Sequence, residues 1–213
     1  MSDAHVEFQY ESLEHQSDAS LDGMWLFLAQ EVLFFGGLFL AWVVNRHFHP
    51  LGFHRGAQET DITIGSINAF ILVTSSFAYA AGLRFIQNDH RRGLILACTA
   101  TFVLGVAFLA LKGLEWSEDI DKHMLPGPNF GITGPDAGGA QLFWVFYWVA
   151  TVLHAVHLMV GLGLVAWVIR NARKGAYSAA FHNPVEVIGL YWSFVDIIWL
   201  VLYPMIYLVG RPG

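Results

Sequence analysis

Five stretches of this chain are too long and too apolar to sit in a water-soluble core. About residues 23–45, 62–86, 93–114, 142–169 and 185–209 each supply the ~20 apolar residues that the hydrocarbon layer of a bilayer demands. In hydrocarbon no water satisfies an open N–H or C=O, so each stretch must be helical. Charge agrees: 13% of residues are charged, against ~25% in ordinary soluble domains, and the mean hydropathy is +0.50. The expected fold class is all-α, a polytopic membrane helix bundle with five transmembrane helices over residues 23–213, preceded by an acidic tail over 1–22. That tail holds no Lys or Arg and no short apolar run, so insertion is expected to rely on the spans rather than on a cleavable leader.

Cys98 is the single cysteine and falls inside the third span, which excludes an internal disulfide and a cysteine metal cluster. A net charge of −6 argues against nucleic acid as a partner. Arg84, Arg91 and Arg92 crowd the short second connection, and Arg170, Arg173 and Lys174 the fourth. Arg46, Arg55, Lys112, Lys122 and Arg211 are spread over longer segments at the other side. The dense clusters place the second and fourth connections inside, hence the N-terminus in the cytoplasm and the C-terminus outside. The connections near 46–61 and 115–141 read as loops, the second as Gly/Pro-rich turns or a lid. In the tail, Asp3, Glu7, Glu11, Glu14, Asp18 and Asp22 recur at steps of four and three, beside Val6, Tyr10, Leu13 and Leu21. Two readings stand for it: a solvated tail, or a helix docked on a partner. Trp42, Trp116, Trp144 and Trp167 fall towards span ends, where an interfacial belt would place them.

Glu31 is the carboxylate inside the first span, and an ionisable group there costs at least ~2.5 kcal/mol unless compensated. Its companions follow from depth. At 1.5 Å of rise per residue, Glu31 lies ~10–12 Å above the inner boundary. His154 and His157 on the fourth span come to ~8–12 Å, and Asp196 on the fifth to ~13–16 Å. The four residues are therefore expected in one band, as an intramembrane polar cluster. The histidines, at i and i+3, admit three roles: metal or haem ligands, members of a satisfied hydrogen-bonded cluster, or groups that exchange protons or hold a lipid head group. No other span offers a histidine at matching depth for paired haem ligation. Asn68, Thr74, Ser75 and Ser76 read as contacts between helices. No nucleophile–base pair, phosphate loop or zinc motif is visible, so no catalytic residue is expected.

Four segments resemble subunit III of the haem–copper oxidases, of the cytochrome c oxidase type. They are GMWLFLAQEVLFFGG (23–37), INAFILVTSS (67–76) with the DHRRG turn (89–93) leading into LGVAF (104–108), LHAVHLMVG (153–161), and GLYWSFVDIIWLVLY (189–203). They span about 23–209 in the family's order. Three departures stand out. Five spans, where other members have seven, correspond to a form lacking the first two helices. Ser193 stands where the family usually has His, and KGLEW (112–116) replaces the more usual polar sequence.

The resemblance implies a non-catalytic core subunit of a proton-pumping terminal oxidase in the bacterial plasma membrane. Haem and copper would belong to partner subunits, with no cofactor on this chain. The partners implied are subunit I as the main contact, subunit II and bound phospholipids, with a larger respiratory supercomplex as a further option. Glu31 would match the family's carbodiimide-reactive carboxylate. Arg91, Arg92, Arg170 and Arg173 are candidates for lipid phosphates, or simply determinants of topology. Alternatives are a quinol oxidase subunit III, a nitric oxide reductase accessory protein and, from another class, a stand-alone proton-coupled transporter, in which the Glu–His–Asp layer would be the coupling site.

Overall fold

The structure, a computed structural model, describes residues 13–209. It contains α1 (Leu13–Phe48), α2 (Pro50–Gln58), α3 (Ile62–Gln87), α4 (Arg91–Asp121), α5 (Ala137–Lys174) and α6 (Asn183–Tyr203), which runs into a π-helical turn over Pro204–Leu208. Five of the helices are long and apolar enough to cross a membrane. Their limits follow local chemistry. Asp61 caps α3, its Oδ1 accepting from Thr63 N at 2.7 Å and Ile64 N at 3.1 Å. Gly175, with φ +81°, closes α5 in the left-handed conformation that favours glycine. Pro50 and Pro184 sit in the first turns of α2 and α6, where a missing N–H costs nothing.

Strict antiparallel succession puts the N-termini of α1, α4 and α6 at one end with the C-termini of α3 and α5. The core is aromatic: Trp144, Tyr147, Trp192, Trp199 and Tyr207 are all fully buried among α3, α4, α5 and α6. Gly105 of α4 and Gly161 of α5 flank the Trp192 indole; an added Cβ would lie within 2.9 Å and 3.1 Å of it. Small residues there let the indole lie between two backbones. Helix α1 leans on α5 and α6 through a narrow seam, burying Leu28, Phe35 and Trp42, seven residues apart. The rest of its circumference, including Leu26, Leu33 and Leu40, is exposed, as a lipid-facing surface would be.

The structure differs from the sequence expectation in four places. The segment 46–61, expected as a loop, contains α2, whose Gly52, Phe53, Gly56 and Ala57 are buried. Gly52 meets Gly139 of α5 backbone to backbone, a contact glycine alone permits. Residues 13–22, assigned to the tail, are helical and continuous with the first span; Asp3, Val6, Glu7, Tyr10 and Glu11 lie outside the described residues. The third connection is shorter than expected, 122–136. It is held by Gly131 N to His123 O at 2.9 Å and Arg55 Nη1 to Thr133 O at 2.9 Å. Finally, Trp42 and Trp144 are buried in the bundle, whereas Trp167 faces outward.

Candidate functional site: polar clusters between the helices

The structure brings Glu31 of α1 against His157 of α5, with Oε2 3.3 Å from Nε2. His157 Nδ1 lies 2.8 Å from the Leu153 carbonyl. A carbonyl only accepts, so Nδ1 carries the hydrogen and Nε2 of a neutral ring would be an acceptor. The Glu31–His157 contact must then contain one further proton, on either the carboxyl or the ring. Phe35 packs edge-on to this imidazole at 5.3 Å, and Tyr191 Oη donates to the His157 carbonyl at 3.0 Å. The pair thus joins α1, α5 and α6 where α1 has otherwise only its narrow apolar seam.

Asp196 goes elsewhere. It is buried on α6 and accepts from Ser76 Oγ in a short hydrogen bond and from Ser75 Oγ at 3.4 Å. Trp192, one turn before it, donates Nε1 to Ser75 Oγ at 3.1 Å, and Thr101 Oγ1 reaches the Ser75 carbonyl at 3.2 Å. This cluster ties α6 to α3 and α4. His154 is 1% exposed and has no hydrogen-bond partner at either ring nitrogen. Its ring packs against Phe108 at 5.5 Å and Trp199 at 5.0 Å, which also touch each other. The expected single layer is therefore three separate environments. Ser193, at the position of the family's His, is exposed on α6.

At the opposite ends of α4 and α5, Arg91 donates from Nε to the Ala172 carbonyl and from Nη2 to the Arg173 carbonyl. It thereby satisfies the last carbonyls of α5. Arg92 and Arg173 are exposed and, with Asp89, His90, Arg91 and Ile95, line an open cavity of about 630 Å³. Arg170 is exposed one turn back on α5, outside that lining.

A further cluster was not foreseen. Lys112, Glu115 and Asp119 of α4 are all buried, with Tyr147 of α5 and Tyr207 of the π-helical turn. Lys112 Nζ pairs with Glu115 Oε2 at 3.1 Å and sits 4.5 Å from the Tyr147 ring centre. The sequence signal was there: Leu94, Cys98, Thr101, Gly105, Phe108, Lys112, Glu115 and Asp119 follow one buried stripe at alternating steps of four and three. Charges that continue a core stripe belong to the core.

The histidines do not fit a metal or haem. His157 is engaged at both nitrogens, His154 is enclosed by aromatic rings, and among the described residues no three donors converge as a metal site.

Five spanning helices joined by buried polar pairs define a multi-pass helical membrane protein. The chain belongs to the cytochrome c oxidase subunit III family, whose model matches residues 17–211. It is 33% identical to the cytochrome c oxidase subunit 3 of Synechocystis sp. over 90% of this chain and 76% of that one. Similarity extends to a heme-copper oxidase subunit I+III of Aeropyrum pernix, 27% identical over 90% of this chain and 23% of that one. A quinol oxidase subunit 3 of Bacillus spizizenii is 23% identical over 94% of each chain. Membership in this family implies association with other oxidase subunits.

Proposed function

We propose that this haem–copper oxidase subunit III serves a cytochrome c oxidase rather than a quinol oxidase, as a core subunit without a catalytic centre of its own. The higher identity to the Synechocystis protein than to the Bacillus quinol oxidase subunit supports that choice. Oxygen reduction and proton translocation are then performed by haem and copper in subunits I and II, against which this chain packs. Its own residues fasten helices and hold lipid. The observation that carries this reading is the Glu31–His157 contact, a half-buried acid and base spent on each other across two helices.

The lipid reading rests on Arg92 and Arg173 around the cavity at the α4–α5 end. Guanidinium groups there suit the phosphates of phospholipids at the cytoplasmic face. With that face inside, the N-terminus is cytoplasmic and the C-terminus periplasmic, in a bacterial plasma membrane. A chain that steadies subunit I and its lipids on the cytoplasmic side supports proton uptake indirectly.

Purification in mild detergent through a tag on this chain tests the proposal. Haem-bearing subunits should co-isolate, and the complex should oxidise reduced cytochrome c. A complex that oxidises only quinol overturns the choice of donor. A colourless, self-sufficient carrier that moves protons in vesicles supports the transporter instead.

A further inference from the structure

The buried network at the outer end of α4 has a hydrogen count that does not close. Lys112 Nζ donates to Tyr207 Oη at 2.8 Å and Tyr147 Oη at 3.1 Å, and forms an ion pair with Glu115 Oε2 at 3.1 Å outside hydrogen-bonding geometry. Three more distances join phenol oxygens to carboxylate oxygens. Tyr207 Oη is 2.6 Å from Glu115 Oε1; Tyr147 Oη is 3.1 Å from Glu115 Oε1 and 2.5 Å from Asp119 Oδ2. Each phenol has one hydrogen, so two hydrogens face three oxygen–oxygen separations. Two oxygens 2.5 Å apart need a hydrogen between them. The third hydrogen has a natural place on Asp119, donating to Tyr147, whose own hydrogen then turns to Glu115.

Charge leads to the same number. One ammonium faces two carboxylates, and Lys112, Glu115 and Asp119 are 1–2% exposed. Left ionised, the cluster would bury one uncompensated negative charge; one added proton cancels it. We infer that Lys112, Glu115, Asp119, Tyr147 and Tyr207 form a proton-binding site that holds one exchangeable proton on the Asp119–Tyr147–Glu115 path. Lys112 and Tyr207 are its fixed frame.

The surroundings fit such a site. Lys122, the residue that follows α4, and Asp61, which caps α3, are further charged groups that act on it. On the aqueous side the connection after α4 forms a cover: Met124 N donates to the Asp119 carbonyl at 2.9 Å, and Trp148 Nε1 to the Met124 carbonyl at 3.1 Å. Towards the membrane interior, Trp199 lies 5.5 Å from Lys112 Nζ and packs 5.0 Å from the ring of His154, whose nitrogens have no partner. The inference goes beyond the subunit reading and does not depend on it.

Infrared spectroscopy of the purified complex with isotopically labelled aspartate carboxyls tests it, in H2O and D2O across a pH series. A protonated-aspartate C=O band should appear, shift on deuteration, remain in Asp196→Asn and vanish in Asp119→Asn. In Tyr147→Phe, which removes the hydroxyl beside Asp119, the same band should change frequency. Absence of a protonated-aspartate band overturns the inference, as does a band that Asp196→Asn removes entirely. Should Asp119→Asn fail to accumulate, an unchanged band in Tyr147→Phe is equally decisive against it. None of these adverse results touches the donor assay or the haem spectrum on which the subunit reading rests.

Discussion

Replacing Lys112 by Met probes the largest electrostatic commitment in the bundle. Met matches the stem of lysine but removes the charge and its three donors. Tyr147 and Tyr207 each lose a donor, and Glu115 is left without its cation at 3.1 Å. Breaking a buried pair by deleting one partner costs about 3–5 kcal/mol. The ammonium also lies 4.5 Å from the Tyr147 ring and 5.5 Å from Trp199 and Tyr207, desolvated contacts worth up to ~2 kcal/mol, so the upper part of that range applies. Cys98 is buried on the same helix and is the chain's only cysteine, so a thiol reagent reports its opening. At about 1.4 kcal/mol per decade, labelling of this chain, resolved by electrophoresis, should accelerate ~10³-fold or somewhat more. The double variant Lys112→Met/Glu115→Gln removes both charges and should recover most of the loss, a coupling of at least ~2 kcal/mol. A single variant that labels within a few fold of the wild type refutes the reasoning. So does a double variant as unstable as the two single changes added together.

Gly52→Ala should loosen α2 from α5 by about 1–3 kcal/mol, because the new Cβ would lie 2.5 Å from the Gly139 Cα and backbone cannot yield locally. Gly113→Ala, in open space, should be neutral or stabilising; limited proteolysis of the segment between α1 and α3 compares the two. Asp61→Ala removes the acceptor for Thr63 N and Ile64 N and should cost about 0.5–2 kcal/mol in thermal unfolding, whereas Asp61→Asn should stay near the wild type. Arg92→Gln combined with Arg173→Gln should lower the phospholipid retained by the detergent-purified complex, measured as phosphorus per chain, while the Arg91 contacts to α5 remain.

The spans were legible because bilayer thickness and backbone satisfaction leave few alternatives to a 20-residue apolar helix. The meeting of Glu31 and His157 was legible for the same reason, because rise per residue is fixed. Rotation about the helix axis was not. Asp196 lies on the face of α6 that carries Trp192, and both turn to Ser75 of α3. Tyr191, one residue earlier than Trp192, turns to α5 and bonds the His157 carbonyl. Height alone could not separate those directions. Helix α2 escaped notice because it is short and half of its packing surface, Gly52 and Gly56, carries no apolar signal. Lys112 was counted among the charges of one membrane side and Glu115 fell in the expected 115–141 connection, because charge counting ignores helical phase, although their spacing continued the stripe of Thr101, Gly105 and Phe108.

The central claim is that an acid–base pair fastens α1 to α5 and serves a partner's redox centres without taking part in them. The visible spectrum of the assembled Glu31→Ala complex tests this most directly, recorded beside the amount of this chain that survives a detergent wash. The account predicts unchanged haem absorption with a chain that is lost more readily. An assembled complex that keeps the chain but loses haem would contradict it.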